Sequence, residues 1–263
     1  MLGQGTWNMG ERADARAAEA AALREGVALG MTLIDTAEMY GDGGAERLIG
    51  DALGGLRDQL FIVSKAYPQN ASRSRLPQAC EASLKRLKTD RIDLYLLHWR
   101  GGVPLAETVE AMQALQQAGK VRHWGVSNLD LDDMQELTEA GGAGCATDQV
   151  LYNLSRRGPE LDLFPWLAAQ RIPPMAYSPV EQGRLARNRT LVQLAAARGV
   201  GPLQLALAWV LRRPEVIAIP KAARIEHVRE NRQALDLELT DEERAALDVA
   251  FPTPAGRIPL EML

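Results

Sequence analysis

The chain has 263 residues, a formal net charge of -4 and 46% apolar side chains. That apolar share is enough for a sizeable core and excludes global disorder, while the slight acidity leaves no basic footprint for nucleic acid or an anionic membrane. No apolar run approaches the roughly 20 residues of a membrane span, and Met1-Leu2-Gly3-Gln4-Gly5 lacks the charged and then apolar segments of a secretory signal.

In chain order, Leu2-Gly3-Gln4-Gly5-Thr6 reads as a first strand. Residues 13–29 are rich in Ala, Glu, Arg and Leu and predict a helix, with Gly30 as its stop. Further β-branched or aliphatic runs begin at Thr32, Leu60, Ile92, His123, Asp148, Pro174 and Val216. Several are almost continuously apolar, as strands buried on both faces are. Helices are predicted between them at 45–53, 75–88, 105–118, 131–140, 160–169, 189–198, 202–212, 224–234 and 241–249. Pro202 suits a first helical turn, and Thr240-x-x-Glu243 is a capping box before the last helix.

No linker or low-complexity stretch interrupts this alternation, so residues 1–263 are expected to form a single α/β domain with a parallel sheet. A barrel and an open doubly wound sheet both fit. The open dinucleotide-binding sheet would carry G-x-G-x-x-G in its first turn. Here Gly3-Gln4-Gly5-Thr6-Trp7-Asn8 breaks that pattern at its last position. The (β/α)8 barrel is favoured.

Polar residues at the strand ends favour it further. They are Asp35, Lys65, His98, Ser127-Asn128, Gln149 with Asn153, Tyr177-Ser178 and Lys221. In a barrel those ends converge on one face, where the active site sits. A single polar strand end is usually a cap or turn; seven in series argue for a site. Asp35, Lys65 and His98 end successive strands, and Tyr40 lies five residues beyond Asp35. A lysine desolvated beside a carboxylate keeps its charge, and that charge is expected to lower the tyrosine's pKa toward neutrality. Each residue alone has an ordinary structural reading: an ion pair, a loop aromatic, a core histidine. The four together point to acid–base chemistry.

Cys80 and Cys145 are far apart and read as reduced, buried thiols, so a cytoplasmic location is expected. His98, His123 and His227 lack any paired metal-ligand spacing, and no metal is expected.

The order of motifs resembles the aldo-keto reductase superfamily over nearly the whole chain. The motifs are Gly5-Thr6-Trp7, Asp35-Thr36-Ala37-Glu38-Met39-Tyr40-Gly41, Val63-Ser64-Lys65, Leu94-Tyr95-Leu96-Leu97-His98-Trp99, Gly125-Val126-Ser127-Asn128, Gln149-Val150-Leu151-Tyr152-Asn153, Tyr177-Ser178-Pro179, Ile219-Pro220-Lys221 and Glu230-Asn231. It looks nearest to bacterial reductases of methylglyoxal and similar small aldehydes. The resemblance implies NADPH-dependent carbonyl reduction, with Tyr40 as general acid. Lys65, paired with Asp35, would tune it, and His98 would orient the carbonyl. Ser127, Asn128 and Gln149 would hold the nicotinamide carboxamide, and Tyr177 would stack on the ring. Ser178 and the backbone after it would meet the pyrophosphate. Lys221 would meet the ribose phosphate, and Glu230 and Asn231 the adenine. Thr6, Trp7, Asp35, Pro179, Ile219, Ala222 and His227 complete the implied cofactor positions. Trp7, Tyr67 and Trp99 would wall the substrate pocket. The implied partner is a small carbonyl compound, and a monomer is favoured.

The chain departs from the family pattern in places. Many members follow the Ile-Pro-Lys lysine with Ser or Thr and carry Arg six residues after it; here Ala222 and His227 stand there. Histidine is a weaker cation than arginine and makes no bidentate fork. NADP(H) is therefore expected with reduced discrimination against NAD(H), unless Arg224 or Arg229 compensates. The usual N-terminal hairpin under the barrel is expected to be truncated or absent. The short loop after His98 and the short tail from Phe251 suggest an open, shallow site. Two other readings stand beside the reductase. One is a non-enzymatic nicotinamide-binding subunit serving as a redox sensor. The other is a barrel isomerase or aldolase with Lys65 as a Schiff-base nucleophile.

Overall fold

A computed structural model describes all residues from Met1 to Leu263. Eight parallel strands pair in sequence order: β1 (Gln4–Gly5), β2 (Leu33–Asp35), β3 (Phe61–Ala66), β4 (Ile92–Leu97), β5 (Val121–Ser127), β6 (Asp148–Leu151), β7 (Met175–Tyr177) and β8 (Ile217–Ala218). Parallel bridges from Leu2 to Ala218 and from Gly5 to Lys221 bring the last strand back to the first. The barrel is thereby closed, which leaves no strand edge exposed. The first residues enter the β8 edge directly: the Met1 ammonium donates to the Val216 carbonyl over 3.0 Å. Half-buried Phe61 and Ile217 pack against the barrel's inner cluster.

Ten helices surround the barrel: α1 (Arg16–Ala28), α2 (Gly44–Leu53), α3 (Leu76–Leu87), α4 (Leu105–Gln117), α5 (Leu131–Glu139), α6 (Leu163–Gln170), α7 (Arg189–Ala197), α8 (Pro202–Leu211), α9 (Ile225–Gln233) and α10 (Asp241–Ala250). All ten coincide with predicted segments to within a few residues. Gly30 ends the first helix with a positive φ of 87°, a backbone that a side chain would strain. The capping box forms as expected: Glu243 N–H donates to Thr240 Oγ1 over 3.2 Å, and Thr240 N–H donates to Glu243 Oε2 over 2.8 Å. Short 3-10 turns at Pro68–Asn70, Gly158–Glu160 and Glu181–Arg187 are additional to the predicted elements. No single helix is long and apolar enough to cross a membrane.

Strand alternation produces both the core and the site. Outward residues such as Ile34, Ile62, Tyr95, Trp124 and Val150 join the large cluster between sheet and helices. Inward residues Leu33, Val63, Leu94, Leu96, Met175 and Ile219 form a smaller cluster inside the barrel. The next inward position toward the C-terminal mouth is polar on strand after strand: Asp35, Lys65, His98, Gln149, Tyr177 and Lys221. A period of two therefore turns apolar runs with polar ends into a dry floor under a polar mouth.

Candidate active site

The polar layer opens into a cleft of about 490 Å³ at the strand C-termini. Lys65 lies directly behind it and is fully buried. Its ammonium donates three hydrogen bonds: to Asp35 Oδ1 over 2.7 Å, to the Thr36 carbonyl over 2.8 Å and to the Tyr40 hydroxyl oxygen over 3.0 Å. An ammonium has three donors, so this set is complete. Asp35 receives a second bond from the Gln149 amide, Nε2 to Oδ2 over 2.7 Å. A chain of contacts thus runs from Gln149 through Asp35 and Lys65 to Tyr40.

Burial disfavours the Lys65 charge, but Asp35 and Tyr40 outweigh it and hold the ammonium above its ordinary pKa. Burial pushes the Asp35 carboxyl up, against the Lys65 ammonium and the Gln149 amide. A carboxylate 2.7 Å from an ammonium stays ionised at neutral pH. Tyr40 corrects one expectation from the sequence. Burial pushes its pKa above 10, Lys65 pulls it down and Asp35 pushes it up again, so it is raised rather than lowered toward neutrality. Burial outweighs the Lys65 charge, which Asp35 offsets only in part, and the phenol is a neutral donor at physiological pH.

His98 presents its ring 5.8 Å from that of Tyr40, edge to face, and 4.9 Å from that of Trp99. Burial, and then the Lys65 charge, lower its pKa to about 2, so the imidazole is neutral. Its Nδ1 is buried without a partner. Glu38, in the loop between Asp35 and Tyr40, accepts from Tyr67 N–H over 2.7 Å and from Asn70 Nδ2 over 2.9 Å. These bonds tie the tyrosine loop to the loop after β3.

Most of the remaining sequence-predicted residues meet on the cleft. Thr6, Trp7, Trp99 and Ile219 line it, as do Ser127, Asn128 and Gln149 and the run Tyr177-Ser178-Pro179. Asn128 is committed within the protein. Its amide nitrogen donates to the His98 carbonyl and to Ser127 Oγ, both over 3.1 Å, and its oxygen accepts from the Tyr177 hydroxyl over 2.9 Å. Ser127 Oγ donates to the Gln149 carbonyl over 2.8 Å. The Gln149 side-chain carbonyl has no partner in the protein. Lys221 and His227 line the far end of the cleft. There the Arg224 guanidinium contacts His227 Nε2, while Arg229 is held by Glu25 over 2.8 Å.

Other predicted residues lie outside the cleft. Tyr67 packs edge to face on Trp99, with centroids 5.9 Å apart, and reaches the site only through it. Half-buried Ala222 packs against the core. Glu230 and Asn231 stand one turn beyond His227 on α9, sharing its helix face but beyond the cleft wall. Asn153 is structural: its amide donates to the Ser178 carbonyl over 2.9 Å and to Glu181 Oε2 over 2.7 Å.

Two parts of the wall are new relative to the sequence reading. The loop after β7 turns through positive φ at Ser178, Glu181, Gln182 and Gly183. The buried Glu181 carboxylate pins it, gripped by Asn153, Arg156 and Arg184. The tail after α10 also returns to the cleft, where Met262 and Leu263 line it. Arg156 ties Glu261 to Glu181, and Arg257 holds Asp132 and Asp162. The site is therefore walled on the tail side, and the expectation of an open, shallow site does not hold there. The apolar end of the tail was the only signal of this in the sequence.

Residues 1–250 match the aldo/keto reductase family. Methylglyoxal reductase YeaE of Escherichia coli is 54% identical over 268 residues, covering 100% of this chain and 94% of that protein. Glyoxal reductase of Bacillus subtilis is 32% identical, covering 83% of this chain and 78% of that one. The crystal structure of an aldo/keto reductase from Klebsiella pneumoniae in complex with NADP and acetate superposes with a TM-score of 0.98 at 54% identity, covering 100% of this chain and 95% of that one. A barrel with this mouth, matched along its whole length at such identity, leaves one conclusion: the chain belongs to the aldo/keto reductase family of oxidoreductases.

Proposed function

We propose that the enzyme reduces small aldehydes, ketones and 1,2-dicarbonyls such as methylglyoxal to alcohols, using NADPH, with Tyr40 as the proton donor. The observation that carries this reading is the direction of the Lys65–Tyr40 hydrogen bond. The ammonium donates to the phenol oxygen over 3.0 Å, so the phenol's own proton is free to be given to a group in the cleft.

The cleft residues fit a nicotinamide dinucleotide phosphate. The Gln149 side-chain carbonyl is unpartnered and suits a carboxamide N–H, beside Ser127 and Asn128. Tyr177, fixed by Asn128, offers a ring face. Ser178 and the loop after it suit the pyrophosphate, and Lys221 and Arg224, beside His227, gather positive charge for a ribose phosphate. NADP and NADPH accompany the Klebsiella pneumoniae relatives. When bound, the reduced nicotinamide supplies hydride. The protein's own part is to hold the carbonyl carbon in reach and the carbonyl oxygen between Tyr40 and His98. Neutral His98 can donate a hydrogen bond but not a full charge, so it steadies developing charge on the oxygen without competing for the proton. Tyr40 then donates its proton, and the adjacent Lys65 ammonium stabilises the phenolate left behind.

Trp7, Trp99, Met262 and Leu263 narrow the mouth and favour small substrates. The carbonyl class is further supported by the methylglyoxal and glyoxal reductases among the relatives. The Schiff-base reading conflicts with Lys65, whose three N–H groups are engaged and which does not line the cleft. The complete set of Asp35, Tyr40, Lys65 and His98 favours turnover over a purely sensing role. We further place the enzyme in the cytoplasm as a monomer. Two separate buried thiols support a reducing compartment. A screen of NADPH consumption across small aldehydes, dicarbonyls and sugars tests the reading. Turnover of methylglyoxal at saturable concentrations is expected, and absence of turnover on every carbonyl would overturn it.

A further inference from the structure

Gln149 points into the barrel mouth from β6 and is almost wholly buried. Its amide nitrogen is committed to Asp35 Oδ2 over 2.7 Å. An ionised carboxylate can only accept hydrogen bonds, so Asp35 dictates how the amide is turned: NH2 toward Asp35, carbonyl toward the cleft. The dependence runs the other way as well. Asp35 is buried, and its ionised form survives on two donors, the Lys65 ammonium at one oxygen and the Gln149 amide at the other. Removing the amide would leave a buried carboxylate oxygen unsatisfied. It would favour proton transfer within the Asp35–Lys65 pair and so loosen the cation that holds the Tyr40 oxygen. The nearest alternative donor is not available, because Thr6 Oγ1 is spent on the Asp35 backbone carbonyl over 2.8 Å.

We propose that Gln149 is a positioning residue for the proton donor, acting through Asp35 and Lys65 on Tyr40, in addition to its place in the nicotinamide pocket. The inference rests on the reductase reading above. It implies that the cofactor's carboxamide and the catalytic acid are linked through Gln149, Asp35 and Lys65 in series.

Steady-state kinetics of Gln149→Met, Asp35→Asn and the double variant, at saturating NADPH with methylglyoxal, test it. Gln149→Met is expected to lower kcat at least tenfold even when cofactor is saturating. The double variant is expected to match Asp35→Asn within about twofold, because both changes break the same chain. A purely cofactor-binding glutamine would raise the KM for NADPH and leave kcat unchanged, or would give losses that multiply in the double variant; either result overturns the proposal. If Gln149→Met does not fold, Gln149→Glu keeps the length and sets a second carboxyl against Asp35. The titratable groups facing that pair are Lys65 from β3, Tyr40 from the loop after β2 and His98 from the end of β4. Its kcat is expected to be at least tenfold below wild type at pH 8 and to recover at pH 6, where a shared proton restores the donor. Wild-type kcat at both pH values overturns the proposal. Failure of the wild-type enzyme to turn over any carbonyl would overturn the reductase reading itself, and this inference with it.

Discussion

The Lys65 ammonium donates to the Tyr40 hydroxyl oxygen over 3.0 Å, and burial holds the phenol above its ordinary pKa of 10. The proton donor is therefore fully protonated throughout the physiological range. Carbonyl reduction needs that protonated form, so kcat for reduction is expected to be flat from pH 6 to 9. The reverse oxidation needs the phenolate, whose fraction grows tenfold per pH unit below the pKa, so kcat for alcohol oxidation is expected to rise with pH over the same range. Initial rates in both directions check this. A fall in reduction centred near pH 7 would contradict the neutral-phenol assignment.

We propose that Arg224 takes the part of the arginine that many family members carry where His227 stands. It lies against His227, whereas Arg229 is held by Glu25. Arg224→Ala is expected to raise the KM for NADPH about tenfold, roughly 1.4 kcal/mol, and to leave that for NADH within twofold. Wild-type preference for NADPH is expected to stay below about a thousandfold, or roughly 4 kcal/mol. Equal effects of Arg224→Ala on the two cofactors would remove Arg224 from the phosphate site.

His98 makes acid stability testable. Its pKa falls from 6.5 to about 2 on folding, because burial and Lys65 disfavour the imidazolium. Below pH 6.5 the unfolded chain therefore takes up a proton that the folded protein does not. Stability from this group is lost as pH falls, by up to about 1.4 kcal/mol per pH unit. His98→Gln removes the linkage, so its melting temperature is expected to decline less between pH 7 and pH 5 than that of wild type. Parallel declines would show that His98 is not the buried neutral group described here.

The barrel was legible because strand and helix segments alternate along the whole chain and polar residues stand at the strand ends. Which strand residues face in, such as Leu33 and Val63, and which face out, such as Ile34 and Ile62, emerged only with the fold, because the runs are almost continuously apolar. The site residues that sequence order alone could place were those at strand ends, such as Asp35, Lys65 and Gln149. What stayed hidden depends on three-dimensional folding-back. Glu181 is an ordinary loop glutamate until Asn153 and Arg156 reach it. Met262 and Leu263 reach the cleft only because the tail is strapped by Arg156 and Arg257. The direction of the Tyr40 shift was misjudged for a similar reason: the sequence shows a nearby cation but not how completely burial and Asp35 offset it. Glu230 and Asn231 share a helix face with His227, one turn further along α9.

The central claim is that the proton reaching the carbonyl oxygen comes from Tyr40. Tyr40→Phe keeps the ring against His98 and removes only the hydroxyl. The decisive measurement is the single-turnover rate of methylglyoxal reduction by this variant with NADPH prebound, beside its NADPH dissociation constant. The rate is expected to fall more than a thousandfold, about 4 kcal/mol, with the dissociation constant changed less than threefold. A variant that binds NADPH normally and keeps more than a tenth of the wild-type rate would contradict the claim.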